Sequence, residues 1–266
     1  MRRLLFIAIL FAQEMSRGVS AHDTWVQTNT NIVRSGDVVH VDLMLGNHGN
    51  DHREFKLAGK TSLAGTTLNV VAPDGKVHDL KERLVDVGSS ANEGFWSARH
   101  VARDPGLYVV AHQRDAIVNH GGKVRSIKSG KAFFVASKSL DTVSTDNPGF
   151  DRELGHPLEI IPDGNPVTPM EIDVPILIKV LFKGQPLKNA RVSFIPRGQT
   201  LAEKFDADYE RTTNSNGRCS YVPKLGTYHL IVVRHTTEEK GTDYDSTSYS
   251  ATLTVLVPEI CSCNSE

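Results

Sequence analysis

The residues best placed to do chemistry in this sequence are histidines, and the first of them stands at a junction. His22 follows Val19-Ser20-Ala21, a small-residue cleavage site of the kind that ends a secretory signal. Upstream lie Arg2 and Arg3 and then an apolar run from Leu4 to Ala12. That run is far shorter than the ~20 residues needed to span a bilayer. Cleavage after Ala21 makes His22 the mature N-terminus. A terminal histidine offers its α-amine, a ring nitrogen and the next backbone nitrogen within one chelate. The freed amine has an ordinary pKa of ~8 and loses its proton on binding a metal. Imidazole nitrogen suits nickel, copper, zinc and cobalt.

All 11 histidines lie beyond the cleavage site. His48 and His52 share the Gly-rich loop Gly46-Asn-His-Gly-Asn-Asp-His52, which is able to bring two rings to one ion. His112 ends a predicted strand opened by Asp104-Pro105-Gly106, and His120 follows in Asn119-His120-Gly121-Gly122. The expected metal set is therefore His22, His48 and His112, with His52 and His120 as further candidates. His229 and His235, six apart on one predicted strand, share a face. His40 falls on the polar face of its strand, and His78 and His100 have no partner that the sequence identifies. Trp25 and Trp96 read as packing residues.

Other chemistries lack their residues. There is no Gly-x-Ser-x-Gly elbow, no His-Glu-x-x-His pair and no phosphate-binding Gly-rich loop at a helix start. Asp206, Asp208, Asp243 and Asp245 lack the full calcium-loop frame and read as solvated turns. The 30 basic and 31 acidic residues balance, which argues against nucleic acid as a partner. Three cysteines do not make a disulfide scaffold. Cys219 falls in a predicted strand as a small buried residue; Cys261 and Cys263 read as a frayed tail, with a Cys-x-Cys site for a soft metal as the alternative.

The elements that position these residues are strands. Thr24–Thr28 is the first. Asp37–Leu45 alternates, with Val39, Val41, Leu43 and Leu45 on one face. Leu68–Ala72 and Lys76–Leu80 flank the turn Pro73-Asp74-Gly75. Gly94–His100, Gly106–Gln113 and Lys131–Ala136 complete about seven short strands, a β-sandwich pattern. Residues 139–172, with Pro157, Pro162, Pro166 and Pro169, read as a stiff linker around the short strand Leu158–Pro162. Pro175–Phe182, Ala190–Ile195, Cys219–Val222, Gly226–His235 and Thr247–Val257 form a second all-β unit, with Asn216-Gly217 as a tight turn. The expected fold is all-β: two consecutive β-sandwich domains joined by a Pro-rich linker. The expected division is a signal at 1–21, sandwiches at 22–138 and 173–258, the linker at 139–172 and a tail at 259–266.

Several passages together resemble one family. They are His22-Asp-Thr-Trp25, Gly46-Asn-His48, Asp104–His112, Gly155–Pro162, Val180–Val192 and the pair Asn216-Gly217 and Gly226-Thr-Tyr228. This resembles the exported domain-of-unknown-function family associated with nickel and cobalt uptake components in bacteria. The C-terminal half is similar to transthyretin-like or carboxypeptidase-regulatory-like sandwiches, within a broader Ig-like architecture. Asn214 stands where that pattern often has aspartate. The resemblance implies a periplasmic or secreted metal-handling module without a membrane span in its mature chain, acting beside a separate permease. Two other functions fit the same residues. One is a structural, carbohydrate-binding or protein-binding β-sandwich without metal. The other is a copper oxidoreductase braced by His22, for which Tyr108, on the same strand face as His112, is the candidate axial aromatic.

Overall fold

Alternating apolar and polar residues, β-branched runs and Gly or Pro at the breaks give a chain of strands. The computed structural model describes residues 22–259, except 47, 50–51, 54–58, 92 and 120 and the side chains at 48–49 and 52–53. His120, the expected signal at 1–21 and the tail cysteines Cys261 and Cys263 lie outside the described residues. In chain order the strands begin with β1 (Asp23–Thr28), β2 (Ile32–Arg34), β3 (Val38–Gly46), β4 (His48–Gly49), β5 (His52–Arg53) and β6 (Thr66–Val71). Next come β7 (Val77–Asp79), β8 (Val85–Ser90), β9 (Glu93–Val101), β10 (Gly106–Asn119), β11 (Lys123–Ser137) and β12 (Leu158–Pro162). The chain continues with β13 (Ile176–Phe182), β14 (Gln185–Pro186), β15 (Arg191–Pro196) and β16 (Glu210–Thr212). Last are β17 (Arg218–Tyr221), β18 (Tyr228–Thr237) and β19 (Ser246–Leu256). A single 3₁₀ turn, Lys81–Arg83, stands among the described residues.

The all-β expectation holds, and the strands pack in layers. A nine-stranded central sheet runs in the order β16-β15-β18-β19-β11-β10-β6-β7, with β2 added beside β11. A sheet in the order β1-β3-β9-β8 covers one face of its β6–β10–β11 region. There Val26, Val39, Val41 and Leu43 meet Leu68, Val70, Tyr108, Val110 and Phe134. A third sheet, built on β12, β13, β14 and β17, covers the other face. There Leu158, Ile160, Ile178 and Val180 meet Val109, Phe133, Val135, Ile231 and Leu253.

The expected division into two sandwiches takes a different form. The central sheet crosses both halves, because β11 pairs with β19 in parallel from Val124↔Ser246 to Ala132↔Thr254. The segment read as a linker supplies β12, which pairs with β13 from Leu158↔Phe182 to Pro162↔Ile178. It also sends Val167 and Met170 into the same core. Glu159 anchors it. Its carboxylate accepts backbone N–H bonds from Leu154, Gly155 and His156 at 2.6, 3.1 and 3.2 Å. It also forms a 2.5 Å ion pair with Lys131 of β11, both side chains being almost wholly buried.

A candidate metal corner at the start of β1

β1 stands with one edge on β3 and its other edge on the central sheet. Its edge carbonyls are capped by side chains rather than by a neighbouring strand. Thr252 Oγ1 donates to the Thr24 carbonyl at 3.0 Å, Thr254 Oγ1 to Val26 at 2.7 Å and the Tyr228 hydroxyl to Thr28 at 2.7 Å. The Lys128 ammonium donates to the carbonyl of His22 in the same series. An uncapped strand edge is a pairing hazard and a desolvation cost; here hydroxyls and one ammonium fill it. Close approach is possible because β11 carries Gly130 beneath β1. A Cβ at Gly130 would lie 2.8 Å from Thr252 Oγ1 and 3.6 Å from the Cα of Trp25.

These contacts fix the start of β1. Asp23 is fully buried; it accepts 2.7 Å from Ser250 Oγ and pairs with the Arg234 guanidinium. His22 itself is exposed. Register places a row of residues beneath it, Arg114 beside Lys128, Lys128 beside Ser250 and Ser250 beside Arg234. Burial pushes the Lys128 ammonium down to about 8, partly offset by Asp23. The fixed charge at the corner is therefore cationic overall, with Asp23 as its buried counter-charge.

The expected metal residues fall in three situations. The antiparallel register of β1 on β3 sets Asp23 opposite Gly46. His22 and the chain leading to β4, which begins at His48, thus leave the sheet at the same end. His52 lies on β5, paired with β4 through Gly49↔His52. The segments carrying His22 and His48 therefore start from the same end of this sheet, and His52 lies on the strand paired with β4. His112 is also close in sequence register to this corner, but it is fully buried. Its Nδ1 donates to the Thr67 carbonyl at 3.2 Å, which leaves Nε2 to accept from Thr24 Oγ1 at 2.8 Å. Burial lowers its pKa to about 3. Both ring nitrogens are engaged in holding β1, β6 and β10 together, so His112 positions the corner. His120 lies outside the described residues. Among the described residues no group of three or more His, Cys, Asp or Glu side chains converges as a metal cage.

The remaining histidines are scattered. His229 is fully buried on β18, with Nδ1 donating to the Thr227 carbonyl at 3.2 Å and its pKa lowered by burial to about 4. His235 packs edge-on against Phe182 at 4.5 Å between ring centroids. Six residues of strand separate the two by ~20 Å, so they share a face but no ion. Tyr108 is buried, stacked on Phe134 at 4.7 Å, with its hydroxyl on the Asp104 backbone. It faces the core rather than His22 and does not serve as an axial group there. Cys219 lies half-buried on β17 with its thiol pushed up to about 12 by burial. Asp206 accepts backbone N–H bonds from Ala202, Asp208 and Tyr209 and acts as a turn residue.

Sequence reasoning missed Asp23, Lys128 and Arg234 as partners at the corner. The signal was present for Lys128 alone: a lysine in the run from Lys123 to Ser137, whose second half is apolar, calls for a partner. Asp23 and Arg234 are 211 residues apart, and no local pattern links them.

The chain matches the family described as a domain of unknown function (DUF4198) over residues 19–237. No curated protein matches it. Among solved structures, Salmonella alpha-2-macroglobulin reacted with methylamine is similar at 12% identity and a TM-score of 0.25. The match covers 89% of this chain and 15% of that one. A DUF4785 family protein from Legionella pneumophila is similar at 10% identity and a TM-score of 0.28, over 78% of this chain and 52% of that one. The Yersinia pseudotuberculosis adhesin InvE is similar at 10% identity and a TM-score of 0.22, over 90% of this chain and 63% of that one. The chain thus spans only part of the length of each.

Proposed function

This chain belongs to the DUF4198 family, and we propose that it is an exported transition-metal binder whose site is the corner at the start of β1. In this reading cleavage after Ala21 frees the amine of His22. That amine and the His22 ring bind the ion together with His48 and His52 from the β3–β5 segment. The observation that carries the reading is the Asp23↔Gly46 register, which sends the two histidine-bearing segments off one end of one sheet. Among the described residues the first strand starts at Asp23, directly after His22.

The electrostatics favour one class of ion. Lys128 and Arg234 place positive charge beside the site, and Asp23 is already committed to Arg234 and Ser250. Hard cations bound by charge and oxygen ligands are disfavoured there. Ions that bond strongly to amine and imidazole nitrogen are not. In this reading the protein works outside the cytoplasm beside a membrane permease and delivers nickel or cobalt to it; the resemblance to a family associated with nickel and cobalt uptake components supports that role. In vitro the Irving–Williams order will raise copper above both.

Calorimetric titration of the chain beginning at His22 tests this with nickel, cobalt, copper, zinc and calcium in parallel. The expected result is one equivalent of nickel or cobalt bound and no calcium. His22→Ala and the double variant His48→Ala/His52→Ala each lower nickel affinity at least tenfold. Unchanged nickel affinity in both variants contradicts the reading.

A further inference from the structure

A second pair of histidines, on strands of two different sheets, raises a separate question. His100 lies on β9, opposite Val39 of β3. It is 5% exposed, and its buried Nε2 has no hydrogen-bond partner. Its surroundings are aromatic, with Tyr108 at 5.6 Å and Phe134 at 6.4 Å between ring centroids. A phenylalanine would fill that space without leaving a ring nitrogen unsatisfied. Such an atom needs an explanation. Across the gap between the sheets stands His78, half-buried on the edge strand β7 and opposite Val70. The two rings are 5.1 Å apart, centroid to centroid, at 64°.

We propose that His78 and His100 together form a two-histidine site for a tetrahedral transition-metal ion, clipping β7 of the central sheet to β9 of the covering sheet. The spacing has the right value. A metal–nitrogen bond of about 2.0 Å, extended by about 1.1 Å from nitrogen to ring centre, puts the two centroids about 5 Å apart at a tetrahedral angle. His78 is open enough for water to complete the coordination. The buried Nε2 of His100, which has no hydrogen-bond partner, is the nitrogen the pair offers on that side. Arg83 places positive charge near the ring and works against ions held by charge alone, so the ion must be one that bonds to imidazole, such as zinc or cobalt. The pair is independent of the corner at β1 and does not rest on the function proposed there.

The test removes the corner first. The chain beginning at residue 22 and carrying His22→Ala, His48→Ala and His52→Ala is titrated with zinc sulfate, and its melting temperature is read with and without zinc. The expected result is one zinc per chain and a zinc-dependent rise in Tm. Adding His78→Ala or His100→Phe lowers zinc affinity at least tenfold and abolishes the rise. Should His100→Phe fail to fold, His78→Ala on the exposed edge strand decides alone. The proposal is overturned if the triple variant binds no zinc, or if His78→Ala leaves zinc affinity unchanged.

Discussion

Three buried histidines set how this protein responds to acid. His112, His100 and His229 are held neutral, with pKa values lowered to about 3, 4 and 4, in each case chiefly by burial. In the unfolded chain each titrates near 6.5. Between 6.5 and 4 the unfolded state therefore binds more protons than the folded one, and stability falls as pH falls. Above 6.5 the contribution is fully present. Denaturant midpoints measured at pH 7, 6, 5 and 4 are expected to drop steadily below 6.5. His100→Phe is expected to flatten part of that drop and, without metal, to cost little at pH 7. A midpoint independent of pH over that range contradicts the burial of these rings. His112 also marks what the sequence left unreadable at this scale. Its position at a strand end invites a metal role, but its partners, Thr24 and Thr67, are 88 and 45 residues away. Burial and partner, not residue type, decide what a histidine does.

Among the elements, β1 and β11 carry the arrangement. From Ser126 to Ser137 β11 is buried, so each lysine in that stretch needs a specific partner: Lys128 on the β1 side and Lys131 on the β12 side. Removing one member of the second pair leaves a buried uncompensated charge. Glu159→Gln is therefore expected to lose about 3–5 kcal/mol. The double variant Lys131→Met/Glu159→Gln is expected to recover much of that loss, and urea denaturation of the three proteins measures it. Gly130→Val is expected to destabilise by about 1–3 kcal/mol through overpacking beneath β1, read as a lower Tm. The apolar strands were legible from alternation, as β3 shows with Val39, Val41 and Leu43 facing the core. Two features were not. β8 is exposed along its whole length, so no burial pattern marks it. The hairpin of β10 and β11 runs on to Asn119↔Lys123, where Ile117 and Val118 stand exposed or half-buried among polar residues, so no buried face marks the end of β10.

For the whole molecule, the joint between the halves is the parallel pairing of β11 with β19. Parallel partners more than a hundred residues apart leave no trace in local sequence, and the proline-rich stretch before β13 reads as a boundary because its prolines are real. Its buried residues, Leu158, Ile160 and Val167, were the contrary sign. A core shared across the joint predicts that residues 173–258 expressed alone show no cooperative thermal transition. A cooperative melt of that fragment, with native-like near-UV dichroism, contradicts a shared core.

The proposed function depends on a free amine at residue 22, and one comparison addresses that directly. Nickel is titrated calorimetrically into the chain that begins at His22 and into one that begins at Ala21. The additional residue converts the amine to an amide and leaves every side chain of the corner in place. At least tenfold weaker nickel binding by the longer chain is predicted. Equal affinity in the two chains, or no nickel bound by either, contradicts the metal corner.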